Sequence, residues 1–218
     1  MRYSVLAETY SKLEKESGKI EKAKIVAELL SKTPVELLGK VILLLQGTVF
    51  PTYSEEKLNL AENMLIQTLS RASGHNVEEI KREIAEIGDI GEVVQNVMKK
   101  RKQKGLESFF GGDKEPLYVE EVYQKLVNIA KVEGQGSQDR KMKILESLFT
   151  SATPEEAKYI ARTVLGELRV GVGEGILKDG IVKAYDVEEK AVERAYNLTN
   201  DFGKVAEIAK KYGNEGLK

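Results

Sequence analysis

Apolar residues return every three or four positions along nearly the whole chain, as in Leu6, Tyr10 and Leu13 and again in Ile25 and Leu29. Sustained two-residue alternation is almost missing. A 3.6-residue period puts such positions on one helix face, so the spacing predicts an all-α fold of about a dozen short helices. Helix starts are marked by Thr33-Pro34, Asn76, Ser137, Thr153-Pro154 and Asp186. In each a capping residue or proline comes first, and acidic residues, where they follow, favour the positive end of the helix dipole. Glycines at 47, 74, 88, 134 and 166 are the expected stops or turns.

An internal likeness constrains the arrangement further. The first half runs Ser17, Lys24-Ile25, Glu28-Leu29-Leu30, Pro34, Glu62-Asn63-Met64-Leu65, Val77-Glu78-Glu79 and Asp89-Ile90-Gly91-Glu92-Val93. The second runs Ser137, Lys143-Ile144, Ser147-Leu148-Phe149, Pro154, Glu174-Gly175-Ile176-Leu177, Val187-Glu188-Glu189 and Asp201-Phe202-Gly203-Lys204-Val205. Order and nearly all spacings match, with one gap where the first half carries extra residues around Phe50-Pro51-Thr52-Tyr53. The alternative is that any two helical sequences align somewhere. Two copies of one helical unit, about 1–98 and about 117–218, pack most simply as a pseudo-twofold pair. Between them lies a segment of about 99–116 in which five of the six residues from Lys99 to Lys104 are basic, which ends in Gly111-Gly112 and Pro116, and which carries two adjacent phenylalanines.

Composition excludes several classes of function. With no cysteine, thiolate metal sites are ruled out; with one histidine, His75, neither a zinc site nor a Ser-His-Asp centre is expected, and no metal ligands are assigned. The longest apolar run, Val41 to Leu45, is far too short to span a bilayer, and no signal-peptide pattern opens the chain, so a cytoplasmic location and no membrane partner are expected. The formal net charge is −1 across 218 residues, so any nucleic-acid contact must come from local positive patches.

Two stretches carry candidate chemistry. In Arg162 to Gly180, Gly171, Gly173 and Gly175 alternate after Arg169 and before a helical run beginning near Glu174. Glycines there remove side chains from a helix entrance, letting amides and the dipole's positive end approach a phosphate, while Arg169 adds a charge-assisted contact. A turn whose glycines merely permit tight packing is the equal alternative. In Gly134 to Lys143, Ser137 at a helix N-cap with Gly136 before it and Arg140, Lys141 and Lys143 on the first turns also suits a phosphate. Ser17-Gly18-Lys19, followed by Lys22 and Lys24, is its counterpart in the first half. Taken singly, each loop is better explained as an ordinary capped, solvated helix start, and it is the symmetry between them that raises the phosphate-contact reading. Such contacts position a duplex without reading its sequence.

The run from Gln135-Gly136-Ser137 through Lys141, Tyr159-Ile160-Ala161-Arg162 and Leu168-Arg169-Val170-Gly171-Val172-Gly173-Glu174 resembles the N-terminal DNA-binding domain of ATP-dependent DNA ligases, most closely the archaeal enzymes. The resemblance spans essentially the whole chain. It implies an all-helical domain with internal pseudosymmetry that grips phosphates and the minor groove of nicked duplex while separate nucleotidyltransferase and OB-fold domains, absent here, close around it. It gives a DNA-contact role to Ser17, Gly18, Lys19, Gly136, Ser137, Arg169, Gly171 and Gly173, to which the basic positions Arg140, Lys141, Lys143 and Arg162 are added. Glu167 departs from relatives with a basic residue there. In the longer enzyme the resemblance implies ATP and a divalent metal such as magnesium, and nick sealing in DNA replication, repair and recombination near the nucleoid. The rival reading is a helical-repeat scaffold that binds proteins and never touches DNA.

The catalytic lysine of such ligases lies in Lys-x-Asp-Gly, where its amine is adenylated. Here only Leu177-Lys178-Asp179-Gly180 is comparable, with the lysine one position too close to the aspartate, so no catalytic residue is assigned and the 218 residues are expected to be inactive alone. On this ligase background Gln103, Leu106, Phe109 and Phe110 fit Gln-x-x-aliphatic-x-x-aromatic-aromatic, the box that binds the ring-shaped sliding clamp, PCNA. One tight turn would bring the three apolar side chains together as a plug beside Gln103. The alternative is that both phenylalanines fold back onto the domain's own helices.

Overall fold

The capping signals act as real helix starts wherever a side chain can reach the first free amides. In the computed structural model, which describes residues 1–58, 60–101 and 115–218, Thr153 and Glu156 form a reciprocal capping box at 3.2 and 2.8 Å, with Pro154 in the first helical position. Asn76 accepts from the Glu78 amide at 2.9 Å. Asp89 and Asp201, matched in the internal likeness, accept from the amides of Glu92 and Lys204 at 3.1 and 3.0 Å.

The described residues form twelve α-helices: α1 (Tyr3–Lys15), α2 (Lys19–Lys32), α3 (Leu38–Leu45), α4 (Glu62–Ser73), α5 (Val77–Ile87), α6 (Ile90–Lys99), α7 (Val119–Lys131), α8 (Ser137–Ser151), α9 (Pro154–Val164), α10 (Glu174–Tyr185), α11 (Glu189–Thr199) and α12 (Phe202–Gly216). A 3₁₀ turn, Val35–Leu37, leads into α3. The fold is all α, with no sheet among the described residues. The five glycines expected as stops all take a positive φ, between 71° and 84°. Two expected starts differ. The N-cap of α8 is Gly136, left-handed at φ 73°, which makes Ser137 the first helical residue. Asp186, also left-handed at φ 51°, closes α10, and α11 opens from Glu188, whose amide donates to Asn214 Oδ1 at 2.7 Å.

The helices gather into two compact units. The first joins Met1–Glu55 to Arg169–Lys218 and the second is Glu56–Leu168. In the first, α2 lies along α10 because Gly180 leaves room for Val26: a Cβ on Gly180 would come within 2.6 Å of the valine Cγ1. The start of α12 meets α3 at Gly203 and Gly39, where an added Cβ would stand 2.7 Å from the Gly39 Cα. Tyr3, Leu6, Tyr10, Ile42, Leu177 and Val205 fill the core, and the Tyr10 hydroxyl donates to Leu44 O at 2.8 Å, satisfying its one polar atom. Each such burial contributes about 1.5–3 kcal/mol. The carbonyl end of α2 is held by Lys210, donating to Ser31 O and Thr33 O at 3.2 and 2.5 Å, and by Tyr185, donating to Leu30 O at 3.1 Å. Burial pushes the Tyr185 phenol up, so it serves as a neutral donor.

In the second unit, α6 packs on α9 and α4 on α8. Every residue of α9 from Glu156 to Val164 is buried. The helix crosses the start of α6 at Gly91, where a Cβ would fall 2.5 Å from Arg162 Nε.

The main helix pairings of the two units correspond, α8 with α9 in the second being the exception. The first pairs α1 with α2, α2 with α10, α3 with α12, α10 with α11 and α11 with α12; the second pairs α7 with α8, α8 with α4, α9 with α6, α4 with α5 and α5 with α6. Replacing each helix by its counterpart six places along the chain turns one set into the other. Each unit therefore combines the leading three helices of one half with the trailing three of the other. The chain passes between units within 46–61 and again at 168–169, while the basic segment joins α6 to α7 inside the second unit. The unit boundaries thus cut across the halves 1–98 and 117–218.

Candidate nucleic-acid interface

The expected DNA-contact residues fall into two clusters, one in each unit. In the first, the loop Arg169–Gly173 is pinned to the first turns of α2 by Lys22, whose Nζ donates to Val170 O at 2.8 Å. Val170 is buried, and Arg169 beside it is exposed with φ 56°. A bulky non-glycine residue in the left-handed region is a strained conformation of the kind that gathers at functional sites. Gly171 has φ 67°, a conformation that favours glycine, and a Cβ there would fall 2.5 Å from Lys22 Nζ and push that amine aside. Gly173 is the N-cap of α10, and added Cβ atoms on Gly173 and Gly175 would meet nothing within 4 Å. Tight packing therefore explains neither of these two glycines; they leave the entrance of α10 bare. Gly91, Gly180 and Gly203, in contrast, are glycines of close packing.

Gly18 is the N-cap of α2, with Ser17 and Lys19 exposed on either side. The Gly18 amide donates to Glu16 Oε1 at 2.7 Å, and Lys24 pairs with Glu21 at 2.6 Å. Lys22 was outside the expected contact set; its signal was its place one turn after Lys19, and only the fold shows that its partner lies 148 residues on.

The second cluster, at the start of α8, is more neutralised. Arg140 donates to Gln135 O at 3.0 Å and Glu133 O at 2.7 Å, closing its own loop around Gly136. Asp139 accepts from both Lys143, at 3.0 Å, and Arg71 of α4, at 3.2 Å. Those two cations hold its carboxyl below the ordinary range. Arg140 and Lys143 remain exposed and Lys141 is half-buried.

Arg162 gives way from the expected contact set. It is 2% exposed, and its guanidinium donates to Asp89 at 2.7 Å through Nη2 and 3.3 Å through Nε. Burial pushes the Asp89 carboxyl up, but the hydrogen bond from Arg162 and those from the Glu92 and Gly91 amides outweigh it and hold the carboxyl below its ordinary value. Sequence spacing placed Arg162 in the same distinctive run as Arg169. What it lacked was the knowledge that α9 is enclosed on all sides. Glu167, exposed, closes α9 by donating its amide to Arg162 O at 2.8 Å after Gly166.

Lys178 sits between two carboxylates of α11, Glu189 and Glu193, each at 2.7 Å. Their hydrogen bonds raise its pKa and hold its amine in the protonated form. Gln103, Leu106, Phe109 and Phe110 lie outside the described residues. Among the described residues no group of three or more His, Asp or Glu side chains is placed to hold a metal, and no helix is long and apolar enough to cross a membrane.

The chain matches the family described as DNA ligase N terminus over residues 2–181. It is 49% identical over 217 residues to a DNA ligase of Thermococcus onnurineus and 50% identical over 217 to one of Thermococcus fumicolans, in both cases across 100% of this chain. To a DNA ligase of Methanothermobacter thermautotrophicus it is 43% identical over 215 residues, or 99% of the chain. The chain spans 38% of the length of each of these three relatives. With a match covering most of the 218 residues and relatives aligned along the whole of it, the chain belongs to the DNA ligase N terminus family.

Proposed function

We propose that this ligase domain binds nicked duplex DNA through its phosphates and minor groove, without sequence preference. The observation that carries the reading is the loop Arg169–Gly173, fastened to α2 by Lys22, with an exposed, strained arginine, followed by Gly173 and Gly175, whose side-chain positions are empty. Ser17, Gly18, Lys19, Gly171 and Gly173 supply backbone and small side chains at this surface, and Arg169 and Lys19 supply charge. Gly136, Ser137, Arg140, Lys141 and Lys143 form a second contact surface, weaker per residue because Asp139 already neutralises part of it. Gln103, Leu106, Phe109 and Phe110 recruit the sliding clamp. The longer protein joins nicks with ATP and a divalent metal on its other domains, which are partners of this one.

A gel-shift series with nicked duplex across salt concentrations tests the reading. Binding should weaken linearly on a log–log plot with salt, and Arg169→Ala should lower the slope by about one unit for every duplex sequence alike. A helical-repeat scaffold would give no salt-dependent shift. For the clamp box, Phe109→Ala with Phe110→Ala should abolish clamp association and leave DNA binding intact; unchanged clamp affinity would make those residues structural.

A further inference from the structure

In both cores the most extensive helix pairings, α2 with α10, α6 with α9, α4 with α8 and α3 with α12, join the front of the chain to the back. Val26 enters the gap at Gly180, Gly39 meets Gly203, and Arg162 crosses Gly91 and holds Asp89. Lys210 closes the end of α2, Arg71 reaches Asp139, and the Leu60 amide donates to Val164 O at 3.1 Å. In every case one partner lies at or before residue 101 and the other at or after 115. The first unit takes α1 to α3 from the front and α10 to α12 from the back, and the second takes α4 to α6 from the front and α7 to α9 from the back.

We propose that residues 1–101 and 115–218 are binding partners across a complete protein–protein interface, so that the two pieces stay together as one folded complex when the backbone between them is cut. The interface has the parts that stable interfaces need. It has apolar cores on both units, glycine approaches that bring helices into contact, and a buried arginine, Arg162, whose partner Asp89 lies on the other piece. Chain continuity between 101 and 115 then raises the effective concentration of one half for the other but supplies none of these contacts.

The test uses the whole chain with a specific protease site inserted between Lys102 and Lys114. After complete cleavage, both pieces should elute together at the position of the uncut protein and keep its helical circular dichroism. The thermal midpoint of the cut protein should rise with protein concentration, because folding is now coupled to association, while that of the uncut protein should not. Gly203→Val should weaken association of the pieces by about tenfold or more, since overpacking costs on the order of 1–3 kcal/mol, whereas Leu198→Ala, at a side chain 77% exposed, should leave it unchanged. Separate elution of the pieces, or loss of the helical signal on cleavage, would overturn the proposal.

Discussion

Arg162 and Arg169 lie seven residues apart in the same distinctive run, yet they do opposite things. Arg162 is on the enclosed helix α9 of the second unit, 2% exposed and fixed to Asp89. Arg169 opens the first unit's loop, exposed, on a left-handed backbone. Between them the chain leaves one unit for the other. A basic residue in a family-like motif is therefore no guide to its use until the solvent boundary is known: one arginine holds the fold together, and the other is presented outward.

That contrast is most directly broken at Arg162. Arg162→Ala empties the site of a buried side chain and removes the partner of Asp89, and should destabilise the domain by about 2–5 kcal/mol in chemical denaturation. Arg162→Met with Asp89→Asn should recover much of that loss, because both charges leave together; no recovery would mean that shape rather than charge is what Arg162 supplies. Gly91→Ala comes next, since its Cβ would press on Arg162 at 2.5 Å, at a cost of about 1–3 kcal/mol.

Acid titration sharpens the same point. Asp89 is held below its ordinary pKa in the folded state, so its contribution to stability is present above the unfolded value of about 3.9 and is lost as pH falls through the lower folded value. Denaturation midpoints of the wild type should fall below about pH 4, and those of Asp89→Asn should change less steeply there. Arg169→Ala should alter stability by no more than about 0.5 kcal/mol, while weakening binding to all duplexes. A large loss of stability instead would place Arg169 with Arg162 among the structural residues. The smallest effect is expected at Lys143→Ala, because Asp139 already engages that amine at 3.0 Å; a slight drop in duplex affinity with unchanged melting is the expected outcome.

Local chemistry made a good part of this legible in advance. The all-α class, a dozen helices and the five glycine stops follow from period and backbone freedom, which act over a few residues. So does the capping box at Thr153. Asp186 was misread because an aspartate serves a helix start and a left-handed helix end alike, and nothing local separates the two uses. Ser137 was one residue off because the glycine before it could take a conformation that no other residue takes cheaply.

The sequence by itself determined the helical class, the internal likeness, the alternation of Gly171, Gly173 and Gly175, and the one-residue mismatch of Lys178 with Lys-x-Asp-Gly, since each depends on residue type and short spacing. The tertiary structure alone decided that the leading helices of one half pair with the trailing helices of the other, that Lys22 holds Val170 O, and that Arg162 is a core residue. Those depend on contacts between residues up to 179 positions apart, where burial and charge pairing are set by what the whole chain encloses rather than by any stretch of it.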